Sequence, residues 1–162
     1  MTARSVWLLL LLSCAASTQV LGDVIILQNC PTGWFYHKLS CYGYFQKLRS
    51  WSDAELECQS FGNGVHLATI ENSKEAEVIA KYIRGYQRNL SVWIGLHDPK
   101  KNQQWQWADG ASLSFKTWSG KSVGTSEHCA EISAKHDFLQ WEGNKCNQHQ
   151  HFLCKYQPAY QP

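Results

Sequence analysis

The sequence predicts an α+β domain closed by disulfides, on three observations: a buried strand beginning at Val92, two segments with the periodicity and end signals of helices, and an even set of cysteines. Val92, Trp93, Ile94 and Leu96 are interrupted only by Gly95, so the segment is apolar on both faces, as a strand buried on two sides must be. After Asp98-Pro99 the chain crosses a tip rich in Lys, Asn and Gln. It returns through Gln104-Trp105-Gln106-Trp107, which alternates polar and aromatic like a half-buried strand. A polar loop held by rigid strands is a usual setting for a binding site.

The other elements follow in chain order. Arg4, the apolar run to Leu12 and the small residues leading to Gly22 have the layout of a secretory signal peptide, with cleavage expected after Gly22. The run is short for a membrane span and no longer one follows, so a secreted chain without a membrane anchor is expected. Asp23 to Leu27 reads as an edge strand or arm. Pro31 and Gly33 mark a turn, and Trp34-Phe35-Tyr36 with Cys41-Tyr42-Gly43-Tyr44-Phe45 reads as an aromatic hairpin. Ser52 and Glu55 have the spacing of a capping box for the first helix, with Trp51 before it as an apolar staple and Gly62 at its exit. The second helix starts after Asn72, with Glu75 at the box position, and runs to about Arg84 before Gly85. Its Ala76, Ile79, Ala80 and Ile83 share one face. Asn89-Leu90-Ser91 is the chain's one N-glycosylation sequon, so Asn89 is the candidate glycosylation site.

Beyond Asp109-Gly110 a long segment to about Glu127 lacks periodicity, which in a small domain marks a functional or mobile loop. Strands are expected again at Cys129 to Ile132 and Phe138 to Trp141, around a polar turn at Lys135-His136-Asp137, and at His151 to Tyr156. Residues 157–162 read as a disordered tail, leaving 23–156 as the domain.

Removing the leader leaves 14 basic and 13 acidic residues, a balance that argues against nucleic acid as a partner. The six remaining cysteines, with no C-x-x-C pair among them, read as three disulfides rather than zinc ligands, although sequence alone permits about 15 pairings. There is no H-E-x-x-H and no free cysteine nucleophile in the mature chain, so no enzyme is expected. His149 and His151 would share a strand face, but no further ligands stand in register with them, so neither metal nor other cofactor is expected.

W-I-G-L, the W-x-W-x-D-G entry to a long loop, C-A-E-I, the W-x-x-x-x-C spacing of Trp141 and Cys146, and the closing F-L-C together resemble a C-type lectin-like domain over nearly the whole mature chain. The signal peptide and bare N-terminal hairpin resemble the regenerating islet-derived (Reg) family of secreted lectins. The resemblance implies two helices on two small antiparallel sheets, with Cys30 paired to Cys41, Cys58 to Cys154 and Cys129 to Cys146. The second bridge would close a loop whose chain-entropy value is about 4 to 5 kcal/mol. Many lectins of this fold hold sugar through Ca²⁺, using E-P-N in the long loop and W-N-D before the penultimate cysteine. Here those slots read Lys121-Ser122-Val123 and Trp141-Glu142-Gly143, a poor set for a cation that takes six to eight oxygens. Glu127, Glu131 and Glu142 remain, and are read as solvated surface acids.

These readings converge on a secreted, calcium-independent, monomeric lectin for mannose-type polysaccharides. Metal-free hydroxyl recognition needs carboxylates and amides with cationic donors beside them. Two loops offer that mixture: Asp98, Pro99, Lys100, Lys101, Asn102 and Gln103 on the first, and Lys135, His136 and Asp137 on the second. Lys100 and Lys101 also suggest contact with heparin-like sulfated glycans. A growth-factor-like ligand for a cell-surface receptor, or a mucosal defence protein, is the alternative. No amphipathic cationic segment suggests action on a membrane.

Overall fold

The structure, a computed structural model, describes residues 30–120 and 124–158. The leader, the apolar run from Asp23, Lys121 to Val123 and most of the expected tail lie outside the described residues. The aromatic hairpin forms as its alternation requires: β1 (Phe35–His37) pairs antiparallel with β2 (Ser40–Arg49), and Cys30 is bonded to Cys41. Its two-residue tip, Lys38-Leu39, takes φ of 42° and 68°, as a tight hairpin of this twist demands.

The first helix, α1 (Trp51–Gln59), starts two residues earlier than the Ser52 box implied. Ser50 is the cap, its Oγ accepting from the Asp53 N–H at 3.2 Å. Trp51 thereby falls inside the helix, where its indole N–H donates to the Ile94 carbonyl at 2.8 Å. Glu55 turns inward instead of capping. Its Oε2 accepts from the Leu67 N–H at 2.7 Å and its Oε1 lies 2.6 Å from His66 Nδ1, which fixes the short β3 (His66–Leu67) against the helix.

The second helix, α2 (Ser73–Arg84), is built as its sequence reads. Asn72 accepts from the Glu75 N–H at 2.9 Å, Gly85 caps the far end, and Ala76, Ile79, Ala80 and Ile83 are buried. After it come β4 (Val92–His97), β5 (Gln106–Trp107), β6 (Cys129–Ile132), a single 3-10 turn at Ala134–His136, β7 (Trp141–Asn144) and β8 (Gln150–Tyr156). The return strand β5 is half as long as Gln104 to Trp107 suggested. The strand expected over Phe138 to Trp141 begins only at Trp141, because Asp137 and Phe138 have φ of 55° and 61° and Phe138 plugs the core.

Strand order is β1-β2-β8-β4-β6-β7, with β3 also on β8 and β5 also on β4. Among the described strands every pairing is antiparallel except that of β4 with β8, which is parallel at Val92↔His151 and Trp93↔Phe152. This pairing joins the two antiparallel groups into one mixed sheet. Val92, Ile94 and Leu96 pack with α2 in one core cluster, while Trp93 packs with Trp51, Leu67 and Phe152 in the other, so β4 is apolar on both faces because each faces a separate core. Cys58–Cys154 and Cys129–Cys146 complete the bridges.

Gly95 has a steric reason to be glycine: a Cβ there would collide with the backbone carbonyl of Leu67. Gly95→Ala is expected to lower stability by about 3 kcal/mol through forced separation of β4 from the Leu67-Ala68 backbone. Urea unfolding of the variant measures this, and an unchanged midpoint would contradict it.

Candidate functional site

The first predicted loop is organised from within by Asp98. That side chain was expected to face a sugar, but the residue is 1% exposed. Its Oδ1 accepts from the Asn102 N–H at 3.2 Å, and its Oδ2 accepts from the Gln103 N–H at 3.0 Å and meets His128 Nδ1 at 3.1 Å. Lys101 and Gln103 take φ of 54° and 66°, so the carboxylate holds a tip that no glycine relaxes. Pro99, Lys100, Lys101, Asn102 and Gln103 are exposed, and they are the groups this loop offers to a ligand.

Burial alone would raise the Asp98 carboxyl, but the Gln103 N–H, His128 and the Asn102 N–H outweigh it and hold it below the usual carboxylate range. A depressed carboxylate contributes stability above its unfolded value, and that contribution is lost as pH falls through the folded one. The amide resonances of Asn102 and Gln103 are therefore expected to hold position through mildly acidic pH and to move only below the ordinary aspartate range. Movement centred at that ordinary range would contradict the geometry.

The second loop is held from other directions. Arg84 Nη1 donates to both the carbonyl and Oδ2 of Asp137, each at 3.0 Å, and the Ala134 N–H donates to Ser91 Oγ at 3.1 Å. His136 Nε2 lies 3.2 Å from Glu142 Oε1. Lys135, His136 and Asp137 are exposed.

A cleft of about 410 Å³ lies beside the second loop, walled by Trp118 and Trp141 and lined by Glu127, Glu131, Lys135 and Glu142. No residue of the first loop lines it; the nearest links are indirect, through His128, which holds Asp98 and follows the lining Glu127, and through Trp105, whose ring packs 5.0 Å from that of Trp118. The second enters it directly through Lys135. Glu131 is not a solvated acid: it is 6% exposed, and its Oε2 accepts from the Asn144 and Gln150 amides at 3.0 and 2.9 Å. Burial raises its carboxyl above the usual value. Glu142 Oε1 is shared by His136 and the Ser119 hydroxyl, and Glu127 Oε2 accepts from the Gly124 N–H. Among the described residues no group of three His, Cys, Asp or Glu is placed to hold a metal.

His149 and His151 do not share a strand face. His149 precedes β8 and is exposed, whereas His151 is buried with Nδ1 at 2.7 Å from the Tyr44 hydroxyl, and burial lowers its pKa. Gly120 to Gly124 carries the G-x-S-x-G spacing of a nucleophile elbow, yet from Gly124 the described chain runs through a turn into β6 and not into the helix such an elbow requires. Sequence reasoning missed His128 and Arg84, whose bonds to the loops span 30 and 53 residues, separations no local pattern reports, and it read Glu142, six residues from His136, as a solvated acid.

The lectin C-type domain family matches residues 47–156. Human Regenerating islet-derived protein 4 is 64% identical over 158 residues, which is 98% of this chain and 100% of that one. The chain belongs to the regenerating islet-derived family of C-type lectin domains. The solved structure of the human REG IV P91S mutant aligns with a TM-score of 0.66 at 66% identity, covering 81% of this chain and 100% of that one. A C-type lectin mannose-binding isoform from Notechis scutatus scutatus is 35% identical over 130 residues, 78% of this chain and 82% of its own. In this regenerating islet-derived domain the cleft acids poorly fit the cation that many C-type lectins use. Each has an oxygen occupied by an amide, imidazole, hydroxyl or backbone donor, and Lys135 stands among them.

Proposed function

We propose that this carbohydrate-binding domain is a secreted, non-enzymatic lectin that takes mannose-type polysaccharide without calcium, at the Asp98–Gln103 loop and the Lys135–Asp137 turn. The observation that carries the reading is the internal satisfaction of the carboxylates. Asp98 is consumed in shaping its loop, and the cleft acids are held by protein donors, so the ligand-facing groups are the exposed ammonium, amide and imidazole donors of two rigid loops. Such groups bond neighbouring hydroxyls directly. Each contact is shallow, and affinity for a polymer accrues from simultaneous engagement of both loops. The mannose-binding relative supports the sugar class, and the three disulfides suit an oxidising, extracellular setting.

Retention on immobilised mannan is expected to be the same in EDTA and in excess Ca²⁺, and Lys100→Ala with Asn102→Ala to reduce it several-fold. Loss of binding in EDTA that returns with Ca²⁺ would overturn the metal-free reading. The adjacent ammonium groups of Lys100 and Lys101 also suit sulfated glycans of the heparin class, through a contact that weakens with salt.

A further inference from the structure

The segment between α2 and β4 bulges out between two contacts with the same turn. At its start Arg84 holds Asp137, and at its end Ser91 Oγ accepts from the Ala134 N–H, so residues 85–91 form a loop whose two ends are pinned to Ala134–Asp137. The loop is stiffened by Gln87. Its Oε1 accepts from the Asn89 and Leu90 N–H groups, both at 2.8 Å, while its amide nitrogen donates to the Leu90 carbonyl and the Tyr44 hydroxyl, both at 2.9 Å. Asn89 sits at the crest. Its backbone is fixed, its side chain is exposed, and its carboxamide makes no hydrogen bond among the described residues. Tyr86 and Leu90 beside it are large apolar side chains left in solvent.

We infer that an N-glycan on Asn89 acts as an intramolecular ligand: its mannose branch occupies the Lys135–Asp137 turn and holds that turn closed to external polysaccharide. The inference rests on the proposed mannose-type specificity of that turn. The anchor asparagine and the turn share one rigid unit, and every N-linked glycan carries mannose in its core, so the tethered sugar meets the turn at high effective concentration. The inner N-acetylglucosamine would lie over Tyr86 and Leu90, two apolar side chains the loop leaves exposed. Because Ser91 is engaged by Ala134 in the folded domain, the sequon is modified before the domain closes, and the sugar is in place when the turn forms.

The test uses the full chain secreted from a glycosylating host restricted to oligomannose glycans. It is compared with the same protein trimmed by endoglycosidase H to a single N-acetylglucosamine and with Asn89→Gln. Intact mass is expected to show one glycan lost on trimming. A turn occupied nine-tenths of the time would weaken mannan binding about ten-fold, so the trimmed protein and Asn89→Gln are expected to bind about ten-fold tighter than the oligomannose form. Amide shifts of Lys135 to Asp137 are expected to change on trimming. Absence of glycan on Asn89, or equal mannan affinity with unmoved shifts at the turn, overturns the inference. If Asn89→Gln fails to bind mannan at all, the lectin reading fails; the turn resonances on trimming then decide the intramolecular contact alone, and it is overturned if they do not move.

Discussion

Replacing Cys58 and Cys154 together with alanine is expected to lower the unfolding free energy by about 4.7 kcal/mol, against about 2.8 kcal/mol for removing Cys30–Cys41. The difference comes from the chain closed in the unfolded state: the bridged residues are 96 apart in the first case and 11 in the second, and loop-closure entropy grows with the logarithm of that length. Cys58–Cys154 ties α1 to β8 and lies in the core cluster with Trp93 and Phe152, so its removal also leaves a space at the sheet's centre. Urea denaturation of the two double variants under non-reducing conditions checks the ordering. Equal losses would mean that native packing, not chain entropy, sets the value of both bridges.

The second large effect is expected at Glu75. Its carboxylate is buried beneath the start of α2, where Lys155 Nζ approaches to 2.6 Å, the Glu71 N–H donates at 2.7 Å and the Tyr42 hydroxyl also donates to it. Lys155 is completed by the Thr69 carbonyl at 3.0 Å. Burial, then the bond to Glu75, raises the Tyr42 phenol above its ordinary value, so it stays a neutral donor. Glu75→Ala leaves the buried ammonium only the longer charge contact to the exposed Glu71 carboxylate at 3.6 Å and is expected to cost about 3 kcal/mol, whereas Glu75→Gln with Lys155→Met removes both buried charges and is expected to cost less than Glu75→Ala alone. A double-mutant cycle of these positions measures the coupling. If the single losses simply add, the three side chains do not act as a unit.

Glu75 also shows how far the sequence could be read. Its place three residues after the Asn72 cap was legible, as was the apolar stripe of α2, because both depend on spacing within one helix. The two-faced burial of Val92 to Leu96 was legible for the same kind of reason. That the Glu75 side chain turns to Lys155, 80 residues away, was not. The same limit explains the first helix, where Ser52 with Glu55 satisfied the box pattern but Glu55 found better partners in Leu67 and His66. At the candidate site, the two loops and their polar content were legible. The inward turn of Asp98 was not, since a carboxylate four and five residues before two unpaired N–H groups looks the same in sequence whether it faces them or a ligand.

The position of β8 carries a consequence for how the molecule comes into being. This strand, Gln150–Tyr156, has β2 on one side and β4 on the other, yet it follows every other described strand in sequence. A polypeptide leaving the ribosome can complete α1, α2 and the first hairpin without it, but it cannot unite the two halves of the sheet until β8 itself emerges. Closure therefore waits on long-range pairings made by the last strand of the sheet, a topology that folds slowly. A chain that stops short of Gln150 is left with two unpaired strand edges and a half-exposed core, and such a fragment is a substrate for quality control rather than a smaller lectin.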